Sequence, residues 1–79
     1  MQYKELNQEI IDLHKKIWKN VQLKRAEKGL TQLKLAEDIG HSSTTIISQA
    51  ELGSKKHFNI EQLYKISKIL ECNIADFFN

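Results

Sequence analysis

The sequence predicts an all-α domain of five helices, the first of them unusually long. Three observations carry this expectation. Apolar residues recur at spacings of three and four along most of the 79 residues, no stretch alternates as a strand would, and the stop signals are three glycines and no proline. The apolar content suffices for one small core and not for two, so one compact domain is expected.

The first helix should run from Asn7 or earlier to Lys28. This stretch lacks glycine and proline, and Leu6, Ile10, Leu13, Ile17 and Val21 recur on one face. At about 1.5 Å per residue, some twenty residues span roughly 30 Å, more than a domain of this size requires. The expected division is a helical extension over residues 1–16 and a compact domain over residues 17–79. The first turns then project or pack on something else. Ile11, His14 and Trp18 form a second stripe beside the main one. Two readings of Trp18 stand: it covers the edge of the domain's own core, or it contacts a second copy of the chain. Leu23 lies off the main stripe and Lys24 lies on it, an arrangement the pattern does not explain.

Residues 31–53, TQLKLAEDIGHSSTTIISQAELG, organise the rest. Gly29 ends the first helix, Leu30 anchors the turn and Thr31 caps the second. Leu35, Ala36 and Ile39 share one face of that helix, and Ala36 is small enough for two helices to cross closely. Gly40 suits the tight reversal that follows, because a residue without a Cβ takes the left-handed conformation at little cost. Ser42 or Ser43 can cap a third helix, in which Ile47 and Ala50 point inward. Thr44, Thr45, Ser48 and Gln49 then face outward with short, uncharged side chains. Such a face approaches base edges closely: Gln suits a bidentate contact with adenine, and Thr can touch the thymine methyl. Solvated helix faces have similar compositions, so the weight comes from the surroundings, the glycine stops at Gly40 and Gly53 and the basic group after the second.

That group is Lys55, Lys56 and His57, placed to contact phosphate without reading sequence. Gln32 sits at a helix start, where its amide and the exposed N–H groups can meet a phosphate, with Lys34 adding charge and Ser43 a further contact. Phe58 should enter the core. Asn59 with Gln62 resembles a capping box, placing a fourth helix near Ile60 with Ile60, Leu63, Ile66 and Leu70 facing inward. Asn73 and Asp76 repeat the pattern before a last short helix that buries Ile74, Phe77 and Phe78.

The formal charge of +2 is modest, but its distribution is uneven. Residues 15–34 hold seven Lys or Arg against one acid and residues 55–68 four against one, while both ends and the middle are net acidic. A basic rim beside a neutral face fits phosphates on either side of a groove. Cys72, the single cysteine, excludes an internal disulfide and reads as a packed core thiol. With no bilayer-length apolar run and with acids near the N-terminus, a cytoplasmic location is expected. Enzymatic signals are missing: there is no glycine-rich phosphate loop and no serine with plausible partners. His14, His41 and His57 read as isolated, and with Cys72 their spacings match no common metal site, so neither metal nor cofactor is expected.

The residues resemble the phage-repressor-like (Xre or Cro/C1 type) helix-turn-helix proteins over residues 17–78. The resemblance rests on Lys28-Gly29-Leu30-Thr31-Gln32, Leu35-Ala36, Ile39-Gly40, Ile47-Ser48-Gln49-Ala50-Glu51 with Gly53, and the closing stretch from Leu63 to Phe78. It implies a compact five-helix lambda-repressor-like fold and a regulator that binds an inverted repeat in double-stranded DNA as a homodimer. Gln32 matches the phosphate-contacting glutamine, Thr44, Thr45, Ser48 and Gln49 the reading positions, and Lys55 and Lys56 a basic loop. Between Gly40 and Ile47 the chain has one residue more than the usual spacing, Lys24 replaces an aliphatic residue, and the extension before Ile17 lies outside the match.

Pairing is also expected on physical grounds, since one reading helix covers only a few base pairs. Phe77 and Phe78 are the favoured contact, with Trp18 assisting. The rival reading is a protein-interaction module, of antitoxin or adaptor type, in which the Ile11/Trp18 stripe grips a different protein.

Overall fold

The computed structural model describes residues 3–40, Ile47 and residues 57–79. Among them are three α-helices, α1 (Tyr3–Glu27), α2 (Gln32–Asp38) and α3 (Ile60–Ile69), then a closing 3₁₀ helix (Ile74–Phe78), and no strand. Ile47 is helical as well. The all-α expectation therefore holds for the described residues, and the last element is a tighter helix than the α-helix its apolar spacing suggests.

The 25 residues of α1 span about 37 Å at 1.5 Å per residue, close to the longest dimension of the molecule, 40 Å. Burial changes abruptly along it. Leu6, Ile10 and Leu13 are 44%, 45% and 42% exposed, whereas Ile17, Trp18 and Val21 are buried. The helix is continuous across this change, so the projecting turns and the core-facing turns belong to one rod.

The core joins Ile17, Trp18 and Val21 of α1 to Leu35 and Ala36 of α2, Ile39, Ile47, Phe58, Leu63 and Ile66 of α3, Leu70 and Phe77. Leu30, Ile69, Cys72 and Ile74 pack at its edge. The closing 3₁₀ helix lies chiefly against α1. Asn20 fastens it there, its Nδ2 donating to the carbonyls of Phe77 and Asn79 at 2.9 Å each.

The helix ends follow from local chemistry. After α1 the Leu30 N–H donates to Arg25 O (3.1 Å) and Gly29 N–H to Ala26 O (3.0 Å), with Gly29 at φ 69°: a Schellman closure. The same pair of bonds closes α3, from Cys72 N–H to Ser67 O (2.9 Å) and Glu71 N–H to Lys68 O (3.3 Å). There the left-handed position is held by Glu71, at φ 56°. Asn59 caps α3, accepting from Gln62 N–H at 2.7 Å while Gln62 Oε1 accepts from Asn59 N–H at 2.9 Å. In the closing turn Asp76 Oδ2 accepts from Asn73 N–H at 3.2 Å.

Two inward positions are corrected. Phe78 is 38% exposed beside the buried Phe77, and Ile60 is 69% exposed, while Leu63, Ile66 and Leu70 are buried. At 100° per residue Ile60 lies roughly a quarter turn from the centre of the arc those three define, in the first turn of α3. Lys24, which falls on the apolar stripe of α1, is accommodated at the rim of an open groove of about 520 Å³ lined also by Ser67, Lys68, Glu71, Cys72 and Asp76. Nothing in the structure explains Leu23, which stays half exposed.

Candidate nucleic-acid interface

Thr31 begins the candidate interface. Its extended backbone and its Oγ1, which accepts from Lys34 N–H at 3.0 Å, start α2 one residue later at Gln32. Leu35, Ala36 and Ile39 turn into the core and are buried. Gly40 follows at φ 91°, with its N–H donating to Glu37 O at 3.0 Å. This is the reversal that a glycine allows at little cost. Ile47 lies beyond it, helical and fully buried in the same core cluster as Leu35 and Ala36. A capped helix, a left-handed glycine and a second helical anchor in one core are the parts of a helix-turn-helix.

Of the residues expected to contact phosphate, Gln32 and Lys34 occupy the first turn of α2. Gln32 is half-buried and Lys34 exposed. The Lys34 ammonium lies 2.9 Å from Asp38 Oδ1, one turn along the same helix. Hydrogen bonding to that carboxylate, reinforced by its charge, raises the Lys34 pKa above the ordinary lysine value. The base-reading candidates Thr44, Thr45, Ser48 and Gln49, and the phosphate candidates Ser43, Lys55 and Lys56, lie outside the described residues.

His57 is described, and it corrects the reading of the histidines as isolated. Its ring stacks on His14 of α1 at a centroid distance of 3.7 Å and an interplanar angle of 7°. Trp18 adds a third ring, 5.4 Å from His57. Burial, and secondarily the neighbouring His57, pushes the His14 imidazole below its ordinary value. Residues far apart in sequence cannot reveal such a stack by spacing. It fixes the start of the segment leading into Phe58 and α3 against the middle of α1.

Of the three candidates for contact with a second copy, Trp18 and Phe77 have their side chains occupied in the core. Phe78, the third, keeps 38% of its surface exposed. The Cys72 thiol is half-buried at the core edge, and burial pushes its pKa up, which disfavours the reactive thiolate.

A helix-turn-helix family profile matches residues 21–77, well over half of the chain. The chain belongs to the helix-turn-helix family of the phage-repressor (Xre, Cro/C1) type. The match begins at Val21, so it takes in the last turns of α1 and leaves out the buried Ile17 and Trp18 as well as the exposed turns before them. No match was found among the curated proteins. Membership supports a DNA-binding regulator of the Xre type. Among the described residues no helix is long and apolar enough to cross a membrane.

Proposed function

We infer that this helix-turn-helix protein is a sequence-specific transcriptional regulator that binds an inverted repeat in double-stranded DNA as a homodimer. The observation that carries the reading is the frame from Thr31 to Ile47: a capped α2, a left-handed Gly40 and a helical Ile47 buried against Leu35 and Ala36. Thr44, Thr45, Ser48 and Gln49 are the base-reading set, offering hydroxyl and amide groups without charge.

Gln32 and Ser43 hold phosphates beside the turn, and Lys34, Lys55, Lys56 and His57 supply the electrostatic contribution. Lys34 can exchange Asp38 for a phosphate at small cost, because an exposed ion pair is worth little in water. The protein works in the cytoplasm, without a cofactor.

The test is selection of random duplex DNA by the purified protein at near-physiological salt. Enrichment of an inverted repeat with half-sites about 34 Å apart supports the reading. Recovery of unselected DNA overturns it in favour of the antitoxin or adaptor reading, in which the same fold grips another protein.

A further inference from the structure

We propose that two copies of this chain pair through the exposed first half of α1, with the two helices antiparallel and the two-fold axis crossing them between Ile10 and Leu13. This rests on the homodimer part of the function inferred above and names its surface.

Leu6, Ile10 and Leu13 are spaced by four and three, the repeat of a two-helix seam, and all three are more than two-fifths exposed. Ile17 continues the spacing but is buried in the domain's own core. The seam thus changes partner along one rod: its C-terminal end is covered by the chain itself and its N-terminal end by something else. Such a row on a projecting helix is an interaction face rather than a scatter of surface residues.

Charge selects the occupant and the direction. Glu9 and Lys16 are seven residues apart, so they stand on the same side of the seam in successive heptads. Together with Asp12 and Leu13 they line a shallow groove of about 240 Å³ on this face. In an antiparallel pair, same-side positions of the two helices meet. Glu9 then faces Lys16 of the second copy, and Lys16 faces its Glu9, giving two symmetric ion pairs around an apolar seam. A parallel pair brings Glu9 towards His14 instead and leaves both charges without the match. More broadly, Glu9 and Asp12 near one end complement Lys15, Lys16 and Lys19 near the other, so the helix is complementary to its own reverse. This two-fold self-complementarity is what an isologous contact requires.

Sedimentation equilibrium of the full chain over a range of concentrations tests the proposal. The wild-type chain should dimerise. Ile10→Glu should be monomeric with unchanged helical circular dichroism, because Ile10 touches solvent and not the core. Glu9→Lys and Lys16→Glu should each weaken dimerisation roughly tenfold, and the double exchange should restore it. A dimeric Ile10→Glu overturns the surface, and a double exchange that fails to restore pairing overturns the antiparallel arrangement. A wild-type chain that is monomeric throughout yet still selects a DNA sequence overturns pairing and leaves DNA reading intact. Dimerisation without DNA selection does the reverse.

Discussion

Asn20, in the C-terminal third of α1, holds the end of the chain in place by donating to the carbonyl of Phe77 at 2.9 Å. The same amide donates to Asn79 O at 2.9 Å, so one side chain satisfies two carbonyls beside the fully buried Phe77 ring. Asn20→Ala removes both bonds and should cost about 1–2 kcal/mol. That corresponds to a fall in Tm of roughly 5–15 °C for a domain of this size. Asn20→Asp should cost more at neutral pH, because a carboxylate would face two carbonyl oxygens. Thermal unfolding of the two variants checks the order; equal stability of Asn20→Ala and the parent would refute the role.

Glu71 stands where α3 turns left-handed, a position that α1 and α2 give to Gly29 and Gly40. A side chain there carries a steric cost of about 1–2 kcal/mol. The compensating interaction is an exposed ion pair to Lys28 at 3.1 Å, which is worth less. Glu71→Gly should therefore stabilise the protein by about 0.5–1 kcal/mol despite losing the pair. Glu71→Ala keeps the cost and loses the pair, so it should be the less stable of the two. Urea titrations of both variants decide the sign. Gly29→Ala, at φ 69° with nothing crowding a new Cβ, should destabilise by roughly 1 kcal/mol through the backbone alone.

How legible each feature is in the sequence depends on how local its cause is. Thr31 as a cap, Gly29 and Gly40 as stops and the Asn59/Gln62 box are interactions within a few residues, and the residue types announce them. Leu35, Ala36 and Ile39 are readable because helical spacing identifies a face. Spacing does not say how far along a helix the core reaches, so the exposure of Leu6, Ile10 and Leu13 on the same stripe as Ile17 is not readable from it. Glu71 carries no sequence mark of a left-handed residue, since that mark is normally glycine or asparagine. The His14–His57 stack and the Asn20 bonds join distant segments, so only the fold reveals them. For the candidate interface, the α2 frame is legible, while the pairing of Lys34 with Asp38 rather than with solvent is a matter of side-chain geometry.

Stability should fall in mild acid because of His14. Its folded-state pKa lies below the ordinary value of 6.5, chiefly through burial, so the unfolded chain binds the proton more readily. The contribution of neutral His14 is therefore present above about pH 6.5 and is lost as the pH drops through the depressed folded value. Wild-type Tm should decline from about pH 7.5 to about pH 5. His14→Phe, which keeps a ring against His57 and removes this titration, should show a shallower decline. Parallel slopes for the two proteins would remove His14 from the explanation.

The basic residues around the proposed reading segment should contribute to affinity without choosing sequence. Lys55→Ala/Lys56→Ala should weaken binding to all duplexes alike, since phosphate contacts carry no sequence information. The slope of log K against log salt concentration should flatten by about 0.9 for each phosphate that is no longer neutralised. Ser48→Ala/Gln49→Ala should do the opposite, erasing preference among duplexes while the salt slope stays the same. Asp38→Asn supplies a third, separable signature: it frees Lys34 from its carboxylate partner, so binding should tighten for every duplex. Fluorescence anisotropy with one selected and one scrambled duplex over a salt series resolves all three. If the lysine pair changed preference, or the Ser48/Gln49 pair changed only the slope, the assignment of reading and phosphate-holding residues would be reversed.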